Sequence, residues 1–520
     1  MACRPGAYLS STILSLALIG AAGFAAAPAH AQKKGGTAVI GQEAGPPTLD
    51  MHTTTNIAAR NVVMQMYEQL ITRDENNAPM LELAESLVEA PDGLSYTFKV
   101  RKGIKFHNGK SLTSADVLAS FERFKRVGIL RSDLDPIAEM SAPDADTFRI
   151  VLKNKVPIFL EQISSFANPI VIYPADQKDR EANKADPIGT GPYQHVEWRA
   201  DSHVKLKRYD GYTPDTRHKG TSGFGGHKTA WLDELDFRYT KEGVARVAGL
   251  ETGQLHLVED VPTKAAKRLK DNKSIVLHPV QRWWIQMAFV NHANPPFDKL
   301  DVRRAMQIGL DMEEIMEVAS DGAYDLQPGY QYPGQPYYNE AGKALYNVND
   351  RKKAQAMLKA SGYKGEEIVL MTLPAYQGIY DGSVVVGEQL KDIGFKVRLD
   401  PVDLPTMGAR QPKADGGWHL SFNGLGTGPA VGPLAAIVFM NGPTKLTHAP
   451  DPVFDGLYAE MLKGETLEAR KATFAKAQER IYDQVMMLKF GDLTKVMGAR
   501  SNLKGFTPYR IPRLWNVWFE

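Results

Sequence analysis

Cysteine is nearly missing from this chain, with Cys3 the only one in 520 residues. A fold cross-linked by disulfides is therefore excluded. The histidines are scattered, with no HExxH and no pair at ligand spacing, which argues against a protein-built metal site. No G-x-S-x-G nucleophile elbow occurs. Charge of one sign is also lacking: the formal net charge is +2, with no basic block and no heptad run. Nothing in this charge balance argues for the electrostatic footprint of a nucleic-acid partner. Long apolar runs are confined to residues 13–27, too short for a comfortable membrane span, and no second run approaches that length.

That run reads instead as the core of an export signal. Arg4 supplies a positive start, and Ala29-His30-Ala31 is a small-x-small cleavage site that would leave Gln32 as the mature N-terminus. Cys3 precedes the apolar core, so no lipid anchor is expected at the cleavage point; an uncleaved anchor is the alternative. A hydrophobic content of 43% and a charged content of 23% are those of an ordinary soluble protein. The length allows two to four domains.

The most informative stretch runs from Leu94 to Phe124. Leu94, Tyr96, Phe98 and Val100 alternate with polar residues and predict a strand with one buried face. Asn108-Gly109 marks a tight turn. Thr113 with Asp116 three residues later forms a helix-start signature, and Val117, Leu118, Phe121 and Phe124 line one face of the helix that follows. Elsewhere, strands are predicted at 37–42, 147–152, 235–239 and 285–291, and a helix is expected through Val62, Val63, Met66, Leu70 and Ile71. Segments 255–259 and 274–278 look like paired strands, and Gly220 to Lys228 like an exposed loop. Residues 368–372, 384–393 and 396–399 form a βαβ-like unit.

Two glycine motifs are weighed and set aside. Gly103 and Gly109-Lys110-Ser111 are separated by five residues, one more than a phosphate-binding loop requires. Gly424-x-Gly426-x-Gly428 is followed by Pro429 and lacks the third-glycine helix start of a dinucleotide site. No cofactor is expected.

The Leu94–Phe124 stretch resembles the signature region of the solute-binding proteins of peptide-type ABC importers, which include dipeptide-, oligopeptide- and nickel-binding members. Further matches follow in order: PPTLD at 46–50, DPIGTGPY at 186–193, WLDELDFRY at 231–239, NPPFDKLDVRRAMQIGLD at 294–311 and RLWNVWF near the C-terminus. The resemblance implies an α/β fold of the type II periplasmic-binding class, two lobes about a hinge with an α+β subdomain inserted in the first. The expected divisions are 32–69, 186–278 and 488–520 for the first lobe, 70–185 for the insertion and 279–487 for the second lobe. It also implies a monomer in the periplasm that encloses a small-molecule or peptide-like ligand and presents it to an ABC permease in the inner membrane. A secreted hydrolase using the same cleft is the alternative.

Candidate ligand contacts come from both sources. Thr53, Thr54 and Thr55 follow the PPTLD match, where the family has the mouth of its cleft, or they simply cap a helix. Trp283 and Trp284 stand at the expected lobe crossing. In a strand they point to opposite faces, so one indole can pack inward while the other meets the cleft; both can also be core. Arg410 offers a planar fork for a carboxylate or phosphate unless it is a solvated surface residue. Trp418 offers a stacking face or a core side chain, and Asn423 an amide that both donates and accepts. Residues 416–450 contain no Asp or Glu. Peptide-binding members usually carry there an aspartate for the ligand's ammonium group. Its absence favours a neutral or anionic solute, such as an aromatic or carboxylated compound; an opine or a metal chelate as the cargo is left open by the sequence.

Overall fold

The computed structural model describes residues 32–200, 202–374, 376–426, 437–441 and 445–520. The export signal and cleavage site expected within 1–31, and the glycine motif beyond Gly426, lie outside the described residues.

Strands of the main framework are β1 (Thr37–Gln42), β2 (Ala84–Glu89), β3 (Ser95–Val100), β4 (Ile137–Asp144), β5 (Thr147–Leu152), β6 (Tyr193–Arg199), β7 (His203–Arg208), β8 (Glu234–Tyr239), β9 (Leu257–Val258), β10 (Ile275–Val290), β11 (Glu367–Thr372), β12 (Lys396–Pro401), β13 (Leu420–Leu425) and β14 (Met487–Arg500). One mixed sheet runs through the molecule in the order β12, β11, β13, β10, β14, β9, β1, β8, β7, β6. A separate antiparallel sheet has the order β2, β3, β5, β4.

Three large cores sit on this framework. One is built from 285–490, around Met287, Ile315, Leu370 and Phe490. Another combines Ile40, Val62, Tyr193 and Phe237 with the returning Met497 and Leu514. The third packs the small sheet against the helix Ser114–Val127 through Phe98, Phe121 and Ile150. The architecture is thus two α/β lobes with an inserted α+β subdomain, as the resemblance implied.

Local rules explain much of it. The capping box at Thr113 and Asp116 is formed, satisfying two otherwise orphan N–H groups. Gly109 has φ +83° at the predicted turn. The predicted βαβ unit is present, with β11 and β12 parallel on either side of the helix Gln377–Ile393.

Three expectations are corrected. The helix expected through Ile71 spans only Ile57–Val63. Beyond it, Gln65 and Met66 direct their carbonyls to the amides of Tyr193 and Gly191, and tertiary pairing takes the chain out of the helix. Segments 257–258 and 275–280 do not pair with each other; both pair with β14, which returns from far along the chain and lies between them. The loop at 220–228 is largely buried rather than exposed. Phe224 stacks on Phe166 with centroids 4.0 Å apart, and Lys228 is sealed in an ion pair with Glu82 at 2.5 Å.

Candidate functional site

Ligand crevices in α/β sheets form beyond the carboxyl ends of parallel strands. In lobe I, β1, β8 and β9 run parallel to a common end after Gln42, Tyr239 and Val258. In lobe II, β11 and β13 run parallel and end at Thr372 and Leu425. Leu425 stands opposite Ile285, just where β10 enters lobe II, and Val258 opposite Gly498, where β14 enters lobe I. Both sets of ends therefore face one groove, which β10 and β14 cross as an antiparallel pair.

The crossing is irregular. The register jumps from Val280 opposite Lys495 to Trp284 opposite Leu493, so residues 281–283 on β10 face Thr494 alone on β14. Arg282 in this bulge has φ +57°, a left-handed conformation that re-aims its neighbours. Trp283 turns to lobe I. Its ring lies 4.8 Å from Lys495 Nζ and 5.8 Å from the guanidinium of Arg510, and its carbonyl accepts a 2.7 Å bond from Arg510 Nη1.

Trp284 turns to lobe II. It lies against Gly424, where a Cβ would come within 3.1 Å of the indole, and it meets Tyr376 edge-on at 6.3 Å. Its Nε1 is buried with no hydrogen-bond partner among the described residues. Tyr376 precedes the helix Gln377–Ile393, whose first turn is tied to β10 by Gln286 Nε2 donating to Gly378 O at 2.8 Å.

The lobe I wall is charged and internally bonded. Buried Glu259 accepts from Glu43 N and from Asn61 Nδ2, both at 2.6 Å, and lies 3.8 Å from Lys495 Nζ. Glu43 stays exposed overall, but partial loss of water around its carboxyl pushes it above its ordinary pKa; Lys495 opposes this, while Asp260 and Glu259 add to it.

Beside the crossing is a cavity of about 460 Å³, lined from lobe I by Tyr509 and Arg510, from the crossing by Gln281 and Arg282, and from lobe II by Tyr332 and Gln335. The inserted subdomain lines the cavity through Glu75 and Asn76 and also touches lobe II. Arg470 pairs with Glu161 at 3.5 Å and donates to Tyr337 Oη at 2.9 Å, and Lys155 reaches Glu465 at 3.6 Å.

The other residues singled out by the sequence are placed as follows. Thr53 Oγ1 donates to Asn183 at 2.7 Å, Thr54 Oγ1 accepts from Asn56 N at 3.0 Å, and Thr55 is exposed. The helix cap is Asn56, whose side chain accepts from Ala58 and Ala59. Arg410 is committed inside lobe II, bonding Asp400 at 2.8 Å and the carbonyl of Gly416 at 2.8 Å. Trp418 is fully buried, with Nε1 donating to Arg410 O at 3.3 Å. Asn423 lies on β13 opposite Met287 and its amide contacts Met407 Sδ at 3.7 Å. Of the eight, only Trp283, Trp284 and Asn423 lie beside the crossing.

Glu43, Glu259, Lys495, Arg510 and Tyr332 were not singled out. A signal existed for the first two, since each directly follows or ends a predicted strand and so occupies a carboxyl end. Lys495 and Arg510 carried none, because only the return of the C-terminal segment brings them to the groove.

Comparison with known proteins agrees with this geometry. The family model described as bacterial extracellular solute-binding proteins, family 5 Middle, matches residues 78–444. A probable peptide ABC transporter periplasmic-binding protein, y4tO, of Sinorhizobium fredii is 25% identical over 90% of this chain and 91% of its own length. The glutathione-binding protein GsiB of Escherichia coli is 25% identical over 88% of this chain and 89% of its own. The substrate-binding protein CtaP of Listeria monocytogenes superposes with a TM-score of 0.80 at 21% identity, covering 94% of this chain and all of CtaP. These are binding proteins, and nothing in them supports the hydrolase alternative. With well over half its length inside the family model and its groove where two lobes meet, the chain belongs to the bacterial extracellular solute-binding proteins of family 5.

Proposed function

We propose that this protein is the periplasmic, monomeric binding component of an ABC importer, enclosing a peptide-like or other small organic solute between its lobes and handing it unchanged to a membrane permease. The observation that carries the reading is the groove itself: two facing walls joined by β10 and β14, with lobe II and the inserted subdomain also in contact. Relatives named for peptide and glutathione binding support the solute class. The chain divisions given above and the roles of Trp283, Trp284 and Asn423 as ligand contacts belong to the same proposal. Export with cleavage after Ala31 is part of it too, and N-terminal sequencing of secreted protein would return Gln32.

Thermal unfolding in the presence of peptides, glutathione, aromatic acids, opines and metal chelates tests the function. A binding protein gains RT ln(1 + [L]/Kd) from its solute, about 2.7 kcal/mol at a hundredfold excess over Kd, and returns that solute intact. Turnover of any compound in the panel would reject the reading.

A further inference from the structure

We infer that the cavity beside the crossing is an oxyanion subsite, in which Arg282 and Arg510 hold a carboxylate of the captured solute. The inference rests on the solute-binding reading and deepens it.

Arg510 is held in position without being neutralised. Its guanidinium lies between the rings of Trp283, at 5.8 Å, and Tyr332, at 5.7 Å, and one N–H is spent on the Trp283 carbonyl. Its other N–H groups carry no hydrogen bond among the described residues. A guanidinium fixed by flanking aromatic faces keeps its planar fork for a bidentate acceptor.

Arg282 reaches the same cavity from the bulge. Its Nη1 donates to Pro333 O at 3.2 Å, while its Nε is buried without a hydrogen-bond partner and stands 3.8 Å from Asp325. The acid lining the cavity, Glu75, is already taken by Arg513 at 2.6 Å. Two guanidiniums therefore line a space whose one acid is spent, while Arg282 keeps a 3.8 Å ion pair with Asp325 outside that lining. Both side chains are partly exposed here, so enclosure of a solute would strip away their water, and a carboxylate of that solute supplies the partner they then need.

The rest of the lining agrees. Asn76, Gln281 and Gln335 add amide groups, and the space of about 460 Å³ suits a solute of dipeptide size. No lysine lines it, so the cationic groups on offer are two planar forks suited to bidentate oxyanions, and the planar carboxylate is the one assigned. The stretch 416–450, free of acids, offers an ammonium group no counter-charge. Arg510 belongs to lobe I, Arg282 to the crossing and Tyr332 to lobe II, so an anion held here touches all three parts that closure brings together.

The test uses the full-length mature protein and a bacterial metabolite extract as the probe. Wild type, Arg510→Gln and the Arg282→Gln/Arg510→Gln double variant are incubated with the extract and desalted, and retained compounds are identified by mass spectrometry. The compound retained in greatest amount by wild type, and its primary amide, are then titrated by calorimetry. The expected compound bears a carboxylate, and amidation weakens its binding to wild type at least tenfold. Arg510→Gln weakens the acid at least tenfold and the amide less than twofold, with Arg510→Lys in between.

A retained compound without a carboxylate, a phosphate ester included, overturns the assignment. So does equal affinity for acid and amide on wild type, a comparison that needs no variant to fold. A double variant that melts like wild type and binds the acid within twofold overturns it as well. A wild-type protein that retains nothing from the extract overturns the solute-binding reading, and this assignment falls with it.

Discussion

Trp283 and Trp284 are the same residue at adjacent positions, yet one faces charge and the other faces none. Trp283 is flanked by Lys495 and Arg510 on the lobe I wall, where Glu259, Glu43 and Asn61 form a bonded network. Trp284 meets Tyr376, the bare backbone of Gly424 and a strand of uncharged residues. On the proposed function, the difference is a division of labour: lobe I presents charge to the solute, and lobe II a flat apolar face.

The largest effect expected concerns a tryptophan that belongs to neither wall. Trp418→Ala removes a fully buried indole from the lobe II core and should cost about 3–5 kcal/mol in chemical denaturation, while affinity for the retained solute changes less than threefold. A large affinity loss at unchanged stability would make Trp418 a contact and blur the contrast.

Trp284→Ala should behave in the opposite way. The indole is half-buried, so stability falls little, but solute affinity should drop about thirtyfold, roughly 2 kcal/mol, in calorimetry. Unchanged affinity would remove lobe II's shape-reading face from the comparison.

Glu43→Gln should have the smallest effect and is read by pH. A carboxyl whose pKa is raised on folding favours the folded state when protonated, and that contribution is lost as pH rises through the raised value. Wild type therefore loses stability relative to the variant as pH climbs above about 4.5, and the gap closes below it. At this solvent-exposed position the difference should stay under about 1 kcal/mol. Melting temperatures of the two proteins between pH 4 and pH 7 measure it, and a gap that widens toward acid would reverse the sign.

What the sequence made readable was local. The Thr113–Asp116 box, the Asn108-Gly109 turn and the β11–helix–β12 unit depend on neighbours a few residues away, and each is present. What it hid was long-range pairing. No pattern within 255–278 reveals that β14, more than two hundred residues later, separates those two strands. Arg410 read as a free fork or a solvated surface residue because its partner Asp400 lies on another element. Lys228 read as a loop cation because Glu82 and Glu68 come from remote turns. The alternation of faces around Trp283 and Trp284 was local, so their divergence was visible early; the arginine beside them, Arg510, was not.

The three-against-one mismatch at 281–283 has a mechanical meaning. The two crossing strands are hydrogen-bonded on both sides of it, into each lobe. A swing that keeps those bonds intact must be taken up by torsions in this short gap, as a flexure bends at its thinned section while the bars beyond stay stiff. Amides at 281–283 should then exchange with deuterium sooner than those of Ile285 or Leu277, and a solute lodged against Arg282 would slow them most.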